Sequence, residues 1–447
     1  MHNRDTEQQV NAAQQAALRL ANVDRAARDE ALRAVADALR ANETAVLAAN
    51  DEDVTEAEAL LAGGEYTQAL VDRLKLDSAK LEGIAEMVES VAAQADPLDR
   101  TLTARRLDDD LDLYRVSVPI GVVGTIFESR PDALVQIAAL ALKSGNAVIL
   151  KGGSEASESN RVLYRTVVEA VAEVDAIPEG WAQLVEAHEA VDRVLEMDDA
   201  VDLVMPRGSS EFVSYVEDNT QIPVLGHTEG VCHVYVDEAA DLELAGDVAV
   251  DAKVQYPAVC NAVETLLVHE AVAEEFLPAV VDRYEAAGVT LRGDTATREV
   301  VDIDPVTDED WATEYGDLEL AVGVVGDVYD AIDHVNTYGS KHTEAVITED
   351  SERARTFMQG VDAASVFHNA STRFADGYRY GLGAEVGIST GKVHARGPVG
   401  LEGLTTDKYY LEGDGQCVAT YAGADARGFL HEEFDGEWAP GRRHREE

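Results

Sequence analysis

Apolar side chains recur at helical spacing through the first part of the chain, up to about Ala95. The recurring positions, set in an alanine-rich background, are Leu18, Leu32, Val35, Leu39, Val46 and Leu47. This spacing is typical of helices that bury one face against a core. The pattern therefore predicts a layer of packed helices, and none of these positions carries a chemically reactive group.

The pattern changes at ARRLDDDLDLYRVSVPIG, which alternates in polarity at Leu111, Leu113 and Arg115 next to a charged bend. Alternation of this kind is typical of a strand with one buried and one wet face. Two such runs around a bend predict a β-hairpin.

Strands and helices alternate from Val116 onwards. A first unit contains the strands VSVPIGVVGTIF, AVILK and AVDLVMP and the helices DALVQIAALALKSG, closed by Gly145, and VLYRTVVEAVAEV. A second unit contains the strands ETLLVH, LELAVGVV, EAVIT and ASVFHN, the helix AVAEEFLPAVVDRYEAAG and helices that begin near Val328 and Asp350. Such alternation indicates parallel sheets covered by helices. The predicted fold class is α/β, with two parallel-sheet units in tandem and a small β element.

The charge of the chain is strongly one-sided. Its 447 residues include 86 acidic and 36 basic side chains, for a formal net charge of -50. Such a surface repels nucleic acids and anionic membranes, so neither is an expected partner. The acidic residues are spread along the chain and lysine is scarce, which favours adaptation to high salt, where counterions screen the repulsion.

The chain has only three cysteines, Cys232, Cys260 and Cys417. A small and odd number of cysteines does not form a disulfide framework. They indicate a reducing compartment. No run is long and apolar enough for a signal core or a membrane span. We therefore expect a soluble cytoplasmic protein.

Three polar segments follow strands of the first unit, at the sheet edge where ligands bind in such folds: FESRP, LKGGSEAS and MPRGSSEF. The second and third place small residues at the start of a helix, where backbone N–H groups favour a phosphate. Taken alone, Ser154, Ser209 and Ser210 are more often helix caps. Lys151 points to an anion, because the chain otherwise largely avoids lysine.

Cys260 lies in QYPAVCNAVETLLVH, in a loop at the lip of an apolar strand. A loop position just before a strand is a common place for a nucleophile. A lone cysteine is nevertheless more often a small packed side chain. Metal binding is not expected, because His227, Cys232 and His233 do not share one face of a strand and no second ligand pair has zinc spacing. A Cys/His catalytic pair is possible in principle, but nothing in the spacing singles out one histidine.

Three long segments are similar to the gamma-glutamyl phosphate reductase (glutamate-5-semialdehyde dehydrogenase) family of the aldehyde dehydrogenase superfamily. They are VPIGVVGTIFESRPDALVQIAALALKSGNAVILKGGSEA, YPAVCNAVETLLVH and STRFADGYRYGLGAEVGISTGKVHARGPVGLEGLTT. The resemblance runs from about Ala12 to Tyr410. It implies reduction of L-glutamyl 5-phosphate by NADPH to L-glutamate 5-semialdehyde and phosphate, the second step of proline biosynthesis. The alternative is an NAD(P)-dependent dehydrogenase that oxidises a small aldehyde.

The resemblance also implies roles for individual residues. Cys260 matches the nucleophile that forms a thioester. The residues that would hold NADPH are Lys151, Ser154, Glu155, Gly208, Ser209 and, by a looser match, Glu314. The residues that would contact substrate are Ser129, Arg130 and Asn261. FESRP stands where relatives have an asparagine-containing oxyanion loop, so backbone N–H groups around Cys260 are expected to serve instead.

One departure from the wider superfamily bears on the direction of the reaction. By spacing, Gly226 or His227, and not Glu229, falls where aldehyde-oxidising relatives carry a glutamate general base. A reductase does not need that base, because activated water would consume its thioester. The acidic surface disfavours a thiolate, and Lys253 and Arg130 are the candidate counter-charges.

Domain boundaries are also implied by the resemblance. Residues 1–103 and 120–232 form the NADP-binding domain, 233–395 the catalytic domain, 104–119 and 396–425 the oligomerisation strands, and 426–447 a polar C-terminal tail. The end of that tail, HEEFDGEWAPGRRHREE, is expected to be poorly anchored. A homo-oligomer and functional coupling to a glutamate 5-kinase are the expected partnerships.

Overall fold

The computed structural model describes residues 2–187 and 189–439. The chain begins with five helices, which are α1 (His2–Leu20), α2 (Arg25–Ala41), α3 (Glu43–Gly63), α4 (Gln68–Leu74) and α5 (Ser78–Ala93). Asp24, Thr67 and Asp77 cap α2, α4 and α5 by accepting a backbone N–H bond. The predicted helical layer is confirmed.

The predicted hairpin is confirmed as β1 (Thr101–Asp108) and β2 (Leu111–Pro119). The single strand predicted over VSVPIGVVGTIF is wrong, because β2 ends at Pro119 and β3 (Val122–Phe127) begins a different sheet. Gly121, at φ +136°, makes the turn between them. A side chain there would also collide with Asp202, since an added Cβ would lie 2.1 Å from its Oδ2.

The first parallel sheet has the order β5-β4-β3-β6. Its further strands and its helices are α6 (Pro131–Lys143), β4 (Ala147–Gly152), α7 (Ser157–Val171), β5 (Ala182–Leu184), α8 (Glu189–Leu195), β6 (Leu203–Arg207) and α9 (Ser210–Asp218). The strand β3 and the helix α6 are almost wholly buried, as expected for a sheet covered on both faces. Side chains of α2, α5, α6 and α7 share one core with β3 and β4.

The second parallel sheet has seven strands, in the order β10-β9-β11-β8-β7-β12-β13. Its elements are β7 (Cys232–Val236), α10 (Leu242–Val254), β8 (Val263–His269), α11 (Glu270–Ala286), β9 (Thr290–Gly293), α12 (Thr295–Val300), β10 (Asp304–Pro305), β11 (Glu319–Val325), α13 (Val328–Tyr338), β12 (Thr343–Ile347), α14 (Ser351–Gly360) and β13 (Ser365–His368). All six pairings are parallel, which confirms the predicted fold class. The domain boundaries given above stay predictions.

The C-terminal part forms β14 (Gly387–Ser389), β15 (Gly397–Val399), β16 (Thr405–Glu412) and β17 (Glu432–Glu433). The strands β16 and β17 join the hairpin in an antiparallel sheet of order β16-β2-β1-β17. Among the described residues, no helix combines the length and apolar character needed to cross a membrane.

The prediction of a poorly anchored tail is wrong for its described part, which ends at residue 439. Trp438 stacks on Tyr410 with ring centroids 4.0 Å apart, and Phe434 packs edge-on against Tyr114. The backbone N–H of Leu430 donates to Leu107 O at 2.8 Å. Two aromatic rings in a polar segment therefore anchor it to the antiparallel sheet. The last residues of the predicted tail lie outside the described residues.

Candidate active site

Cys260 lies half-buried in the loop between α10 and β8, at the sheet edge near the start of β7. Gly230 passes directly behind it, because a Cβ added to Gly230 would lie 2.0 Å from Cys260 O. Cys232 Sγ donates to the same carbonyl oxygen at 3.2 Å. Cys232 is fully buried, whereas Cys260 remains accessible. The exposure therefore favours Cys260 as the reactive thiol.

Two histidines flank Cys260. One ring nitrogen each of His227 and His342 lies, with Cys260 Sγ, in a set of atoms that are all within 4.8 Å of one another. His227 Nδ1 is 3.1 Å from Ile388 O, so this nitrogen donates and Nε2 is left as an acceptor. Burial lowers the pKa of His227, which therefore favours the neutral ring. No pattern in the sequence indicates His342, since only the fold brings the start of β12 beside the Cys260 loop.

A loop at residues 371–377 packs against the Cys260 loop. Asn261 Nδ2 donates to Ala375 O at 2.8 Å, and its Oδ1 is buried without a hydrogen-bond partner in the described part of the chain. Arg373 Nε donates to Gln255 Oε1 at 3.0 Å. The predicted contact of Asn261 with substrate stays a prediction, and the structure shows that its amide nitrogen holds the two loops together.

Two arginines that the sequence analysis did not name lie near Cys260. Burial lowers the pKa of Arg207, and the negative charges of Glu385 and of a Cys260 thiolate act against that shift. Burial also lowers the pKa of Arg373, on which a Cys260 thiolate again acts in the opposite direction. Arg207 Nη1 is inaccessible to solvent and has no hydrogen-bond partner among the described residues. Arg207 therefore brings to the surroundings of Cys260 one cationic N–H donor that no described residue engages.

Ser129 and Glu155, predicted to contact substrate and cofactor respectively, are bonded to each other. The backbone N–H and the hydroxyl of Ser129 both donate to Glu155 Oε1. Ser129 has φ +51°, a left-handed conformation that is sparsely populated for serine. Arg130, the next residue, is exposed and pairs with Asp132 at 3.3 Å. The structure therefore brings one predicted substrate residue and one predicted cofactor residue together, at the neighbouring ends of β3 and β4.

Lys151 ends strand β4 almost fully buried, and its Nζ donates to Gly152 O at 2.6 Å. Burial lowers its pKa, against the effect of nearby Glu155 and Glu128. Ser154 precedes α7 but does not cap it. The first N–H groups of α7, at Glu158 and Ser159, instead donate to Asp53 at 3.1 and 2.8 Å. The interpretation of Ser154 as a helix cap is therefore wrong, because a carboxylate from α3 already fills that position.

The turn at Gly208 and Ser209 leads from β6 into α9. Ser209 Oγ accepts from Phe212 N at 3.3 Å, which confirms the capping interpretation for Ser209. The Glu128 carboxylate accepts from the backbone N–H of Ser209. A Cβ at Gly208 would lie 2.7 Å from Glu128 Oε2, so glycine permits this close approach.

Glu314 is brought to the same edge of the second sheet. Its Oε2 accepts from Gly230 N at 2.9 Å, and Gly230 packs directly against the backbone of Cys260. Glu314, whose match to the family was the least close of the predicted cofactor residues, therefore lies beside the Cys260 loop. Its role in holding the nicotinamide ribose stays a prediction.

The comparisons with known proteins agree on one family. Residues 1–318 match the model of the aldehyde dehydrogenase family. Gamma-glutamyl phosphate reductase of Natronomonas pharaonis is 70% identical over 97% of this chain and 99% of its own length. The enzyme of the same name from Haloquadratum walsbyi is 66% identical over 97% of this chain and 96% of its own. The chain belongs to the gamma-glutamyl phosphate reductases.

A solved gamma-glutamyl phosphate reductase has the same fold. The crystal structure from Thermotoga maritima matches with a TM-score of 0.89 at 40% identity, covering 92% of this chain and 99% of that one. An acetylating aldehyde dehydrogenase from Geobacillus thermoglucosidasius, 16% identical with a TM-score of 0.65 over 93% of this chain and 98% of its own, shares the fold alone. Both curated relatives named above come from halophilic archaea, which agrees with the salt adaptation expected from the charge.

In this member of the family, one candidate counter-charge for the thiolate is already paired. Lys253 is fully buried, and its Nζ is 2.6 Å from Glu264 Oε2, itself fully buried. Burial raises the pKa of Glu264 to about 7, against the effect of Lys253. Lys253 is therefore ion-paired with Glu264, and its role as counter-charge to the Cys260 thiolate stays a prediction.

Proposed function

We propose that this chain reduces L-glutamyl 5-phosphate to L-glutamate 5-semialdehyde and phosphate with NADPH, the second step of proline biosynthesis. The observation that carries the proposal is the match, over nearly the full length, to enzymes named gamma-glutamyl phosphate reductase. An accessible cysteine in the expected loop supports it. Transfer of the acyl group from phosphate to Cys260, and its reduction there by hydride, require no water-activating base.

In the proposed reaction, the Cys260 thiolate attacks the acyl carbonyl of the substrate. The C–S bond forms, the C–O bond to phosphate breaks, and a thioester on Cys260 results. NADPH, when bound, supplies the hydride that reduces this acyl group. The C–S bond of the resulting thiohemiacetal then breaks, so that the aldehyde leaves and the thiolate is restored. Gly226 or His227 occupies the position of the missing glutamate, and burial lowers the pKa of His227, which favours its neutral form.

The residues at the first sheet edge fit a nicotinamide cofactor. The N-terminus of α9 offers backbone N–H groups and the positive end of the helix dipole to a pyrophosphate, and the Glu128 carboxylate, which now accepts from Ser209 N–H, would have to turn away when it binds. Lys151 supplies a buried cation close by. Lys151, Ser154 and Glu155 would hold the adenosine ribose and 2'-phosphate, and Gly208 and Ser209 the pyrophosphate. Glu314 would hold the nicotinamide ribose.

The proposed preference for NADPH depends on Lys151. Lys151→Ala is expected to weaken NADPH binding by about 1–3 kcal/mol, because a charge-assisted contact is lost. NADH binding should weaken less, since NADH has no 2'-phosphate. Fluorescence titration of both cofactors measures this, with Lys75→Ala as the control, since Lys75 pairs with Glu58 on the surface. Equal weakening of both cofactors would remove Lys151 from the 2'-phosphate site.

Arg207 and Arg373 are proposed to face the anionic groups of the substrate and to stabilise the thiolate. L-Glutamyl 5-phosphate carries a phosphate and an α-carboxylate, and each requires donors in a pocket that excludes water. The unpartnered Arg207 Nη1 is suited to one of them. Glu385, half-buried beside these arginines, is suited to the α-ammonium group.

Arg207→Gln is expected to lower kcat/KM for the acyl phosphate by about 10- to 100-fold, the equivalent of about 1.5–3 kcal/mol for a hydrogen bond to a charged group. The same variant should raise the KM for phosphate in the reverse direction. Steady-state kinetics measures both. Arg283→Gln is the matched control, because Arg283 pairs with Asp247 on the surface. Unchanged kinetics in Arg207→Gln would assign the anion to other donors.

The direct test of the reaction is the phosphate dependence of the reverse direction. Glutamate semialdehyde and NADP should yield NADPH only when inorganic phosphate is present, because phosphate must accept the acyl group from Cys260. A dehydrogenase that oxidises small aldehydes would form NADPH without phosphate and release the acid. Turnover that is independent of phosphate would therefore replace the proposed reaction with this alternative.

We also propose that the enzyme is a cytoplasmic homo-oligomer that works beside a glutamate 5-kinase. The antiparallel sheet β16-β2-β1-β17 ends in two edge strands, and an unpaired edge is suited to pairing with a second chain. An acyl phosphate hydrolyses readily, so direct supply by the kinase would limit its loss. Sedimentation at molar salt, with and without the kinase, tests both associations.

A further inference from the structure

The group formed by His227, Cys260 and His342 is more than a nucleophile with two neighbours. All three offer atoms that ligate metals, and one such atom from each lies within 4.8 Å of the other two. A thiolate and imidazoles are the ligands that zinc prefers among protein side chains. The spacing of His227, Cys232 and His233 along the sequence predicts no metal site. The fold instead selects Cys260 and His342.

The hydrogen bonds leave one nitrogen of each ring available. His227 Nδ1 donates to Ile388 O at 3.1 Å, and His342 Nδ1 lies 2.9 Å from Thr343 Oγ1. A backbone carbonyl on the far nitrogen is the usual support of a metal-bound histidine. His342 is only 1% exposed, and its Nε2 has no hydrogen-bond partner in the described part of the chain. A buried nitrogen without a partner beside a thiol requires an explanation.

We propose that His227, Cys260 and His342 bind one zinc-like divalent cation, and that the bound ion reversibly inactivates the enzyme. Cys260 and His227 are half-buried, so an ion can enter from solvent and reach His342 behind them. Tetrahedral zinc holds such ligand atoms roughly 3.3–3.6 Å apart. Closure therefore moves atoms by about 1 Å, which the irregular segments bearing Cys260 and His227 permit.

Binding removes one proton from the Cys260 thiol and forms a metal–sulfur bond. The sulfur lone pair that would attack the acyl carbonyl is then donated to the metal. Acyl transfer therefore stops until the ion leaves. Three protein ligands leave a fourth position for water, which keeps the ion accessible to chelators. Inactivation is therefore expected to be reversible, and this separates it from oxidation of the thiol.

Cobalt(II) is the probe, because a thiolate ligand gives it a sulfur-to-metal charge-transfer band and a tetrahedral site gives it intense visible bands. The full-length protein is titrated at molar KCl, where surface carboxylates are screened, and bound cobalt is counted by equilibrium dialysis. We expect one cobalt per chain with both spectral features. Stoichiometric Zn²⁺ should abolish reduction, and EDTA should restore it.

The variants locate the ligands. Cys260→Ser should remove the charge-transfer band. His227→Gln and His342→Gln should each weaken cobalt binding by at least about tenfold, because even the loss of an outer partner costs about 10–100-fold. Cys417→Ser, which alters an exposed thiol, and Cys232→Ala should keep the band. Bound NADPH and circular dichroism confirm folding, and His227→Gln decides the case if the buried His342 variant unfolds.

Two results would overturn the proposal. A charge-transfer band that persists in Cys260→Ser, or that disappears in Cys232→Ala alone, would place the metal on another thiol. Cobalt that binds without a thiolate band would be bound by surface carboxylates. The spectra need no turnover, so failure here leaves the proposed reaction intact, and a phosphate-independent reaction would leave the metal site intact.

Discussion

Cys260→Ser is expected to lower the rate of acyl-phosphate reduction by at least about 10³-fold, as found when a catalytic nucleophile is removed. A hydroxyl is a far weaker nucleophile than a thiolate. NADPH binding should be essentially unchanged, because Cys260 is not among the predicted cofactor residues and all of these except Glu314 lie at the edge of the first sheet. Single-turnover kinetics and fluorescence titration measure the two properties separately.

The other cysteines are the controls for this experiment. Cys417→Ser should keep full activity, because Cys417 is exposed and lies outside the site. Cys232→Ala removes a buried thiol that donates to Cys260 O and contacts His342 Nδ1, and that is not itself the proposed nucleophile, so turnover should fall far less than in Cys260→Ser. Activity of Cys260→Ser within a few-fold of the parent would remove Cys260 from the reaction. Loss of turnover in a folded Cys232→Ala would instead transfer the role to Cys232.

Stability and activity are expected to rise with salt into the molar range. The net charge of -50 is poorly screened at 0.01 M salt, where the Debye length is about 30 Å, and well screened at 1 M, where it is about 3 Å. Ion pairs cannot cancel the repulsion between the carboxylates, because 36 basic residues are too few for 86 acidic ones. Arg40, for example, contacts both Glu82 at 2.7 Å and Glu89 at 2.5 Å. Transfer from molar to low salt should therefore favour unfolding.

The measurement follows Tm and turnover from low to molar KCl. Sucrose at matched concentrations is the non-ionic control, since it stabilises by exclusion from the surface and leaves the charges unscreened. KCl should raise Tm well beyond the effect of sucrose. A flat or falling response to KCl would show that the acidic composition has a cause other than adaptation to salt.

The sequence alone determined those features that depend on local pattern. The alternation of strands and helices fixes the α/β class, because period and length are properties of neighbouring residues. The loop position of Cys260 follows from the proline turn before it and the apolar strand β8 after it. The Gly208–Ser209 turn was likewise visible, since small residues at the start of a helix are a local signal.

Only the tertiary structure decided which distant residues meet. Asp53 caps α7 from α3, Trp438 anchors the C-terminal segment on Tyr410, and Lys253 is paired with Glu264. In each pair the two partners lie in different segments with no common repeat. The periodicity of the sequence therefore does not predict that they are in contact. The same holds around Cys260, where Arg207, Arg373 and His342 come from three separate elements. Their meeting is set by the order of strands in two sheets, and this order depends on long-range packing.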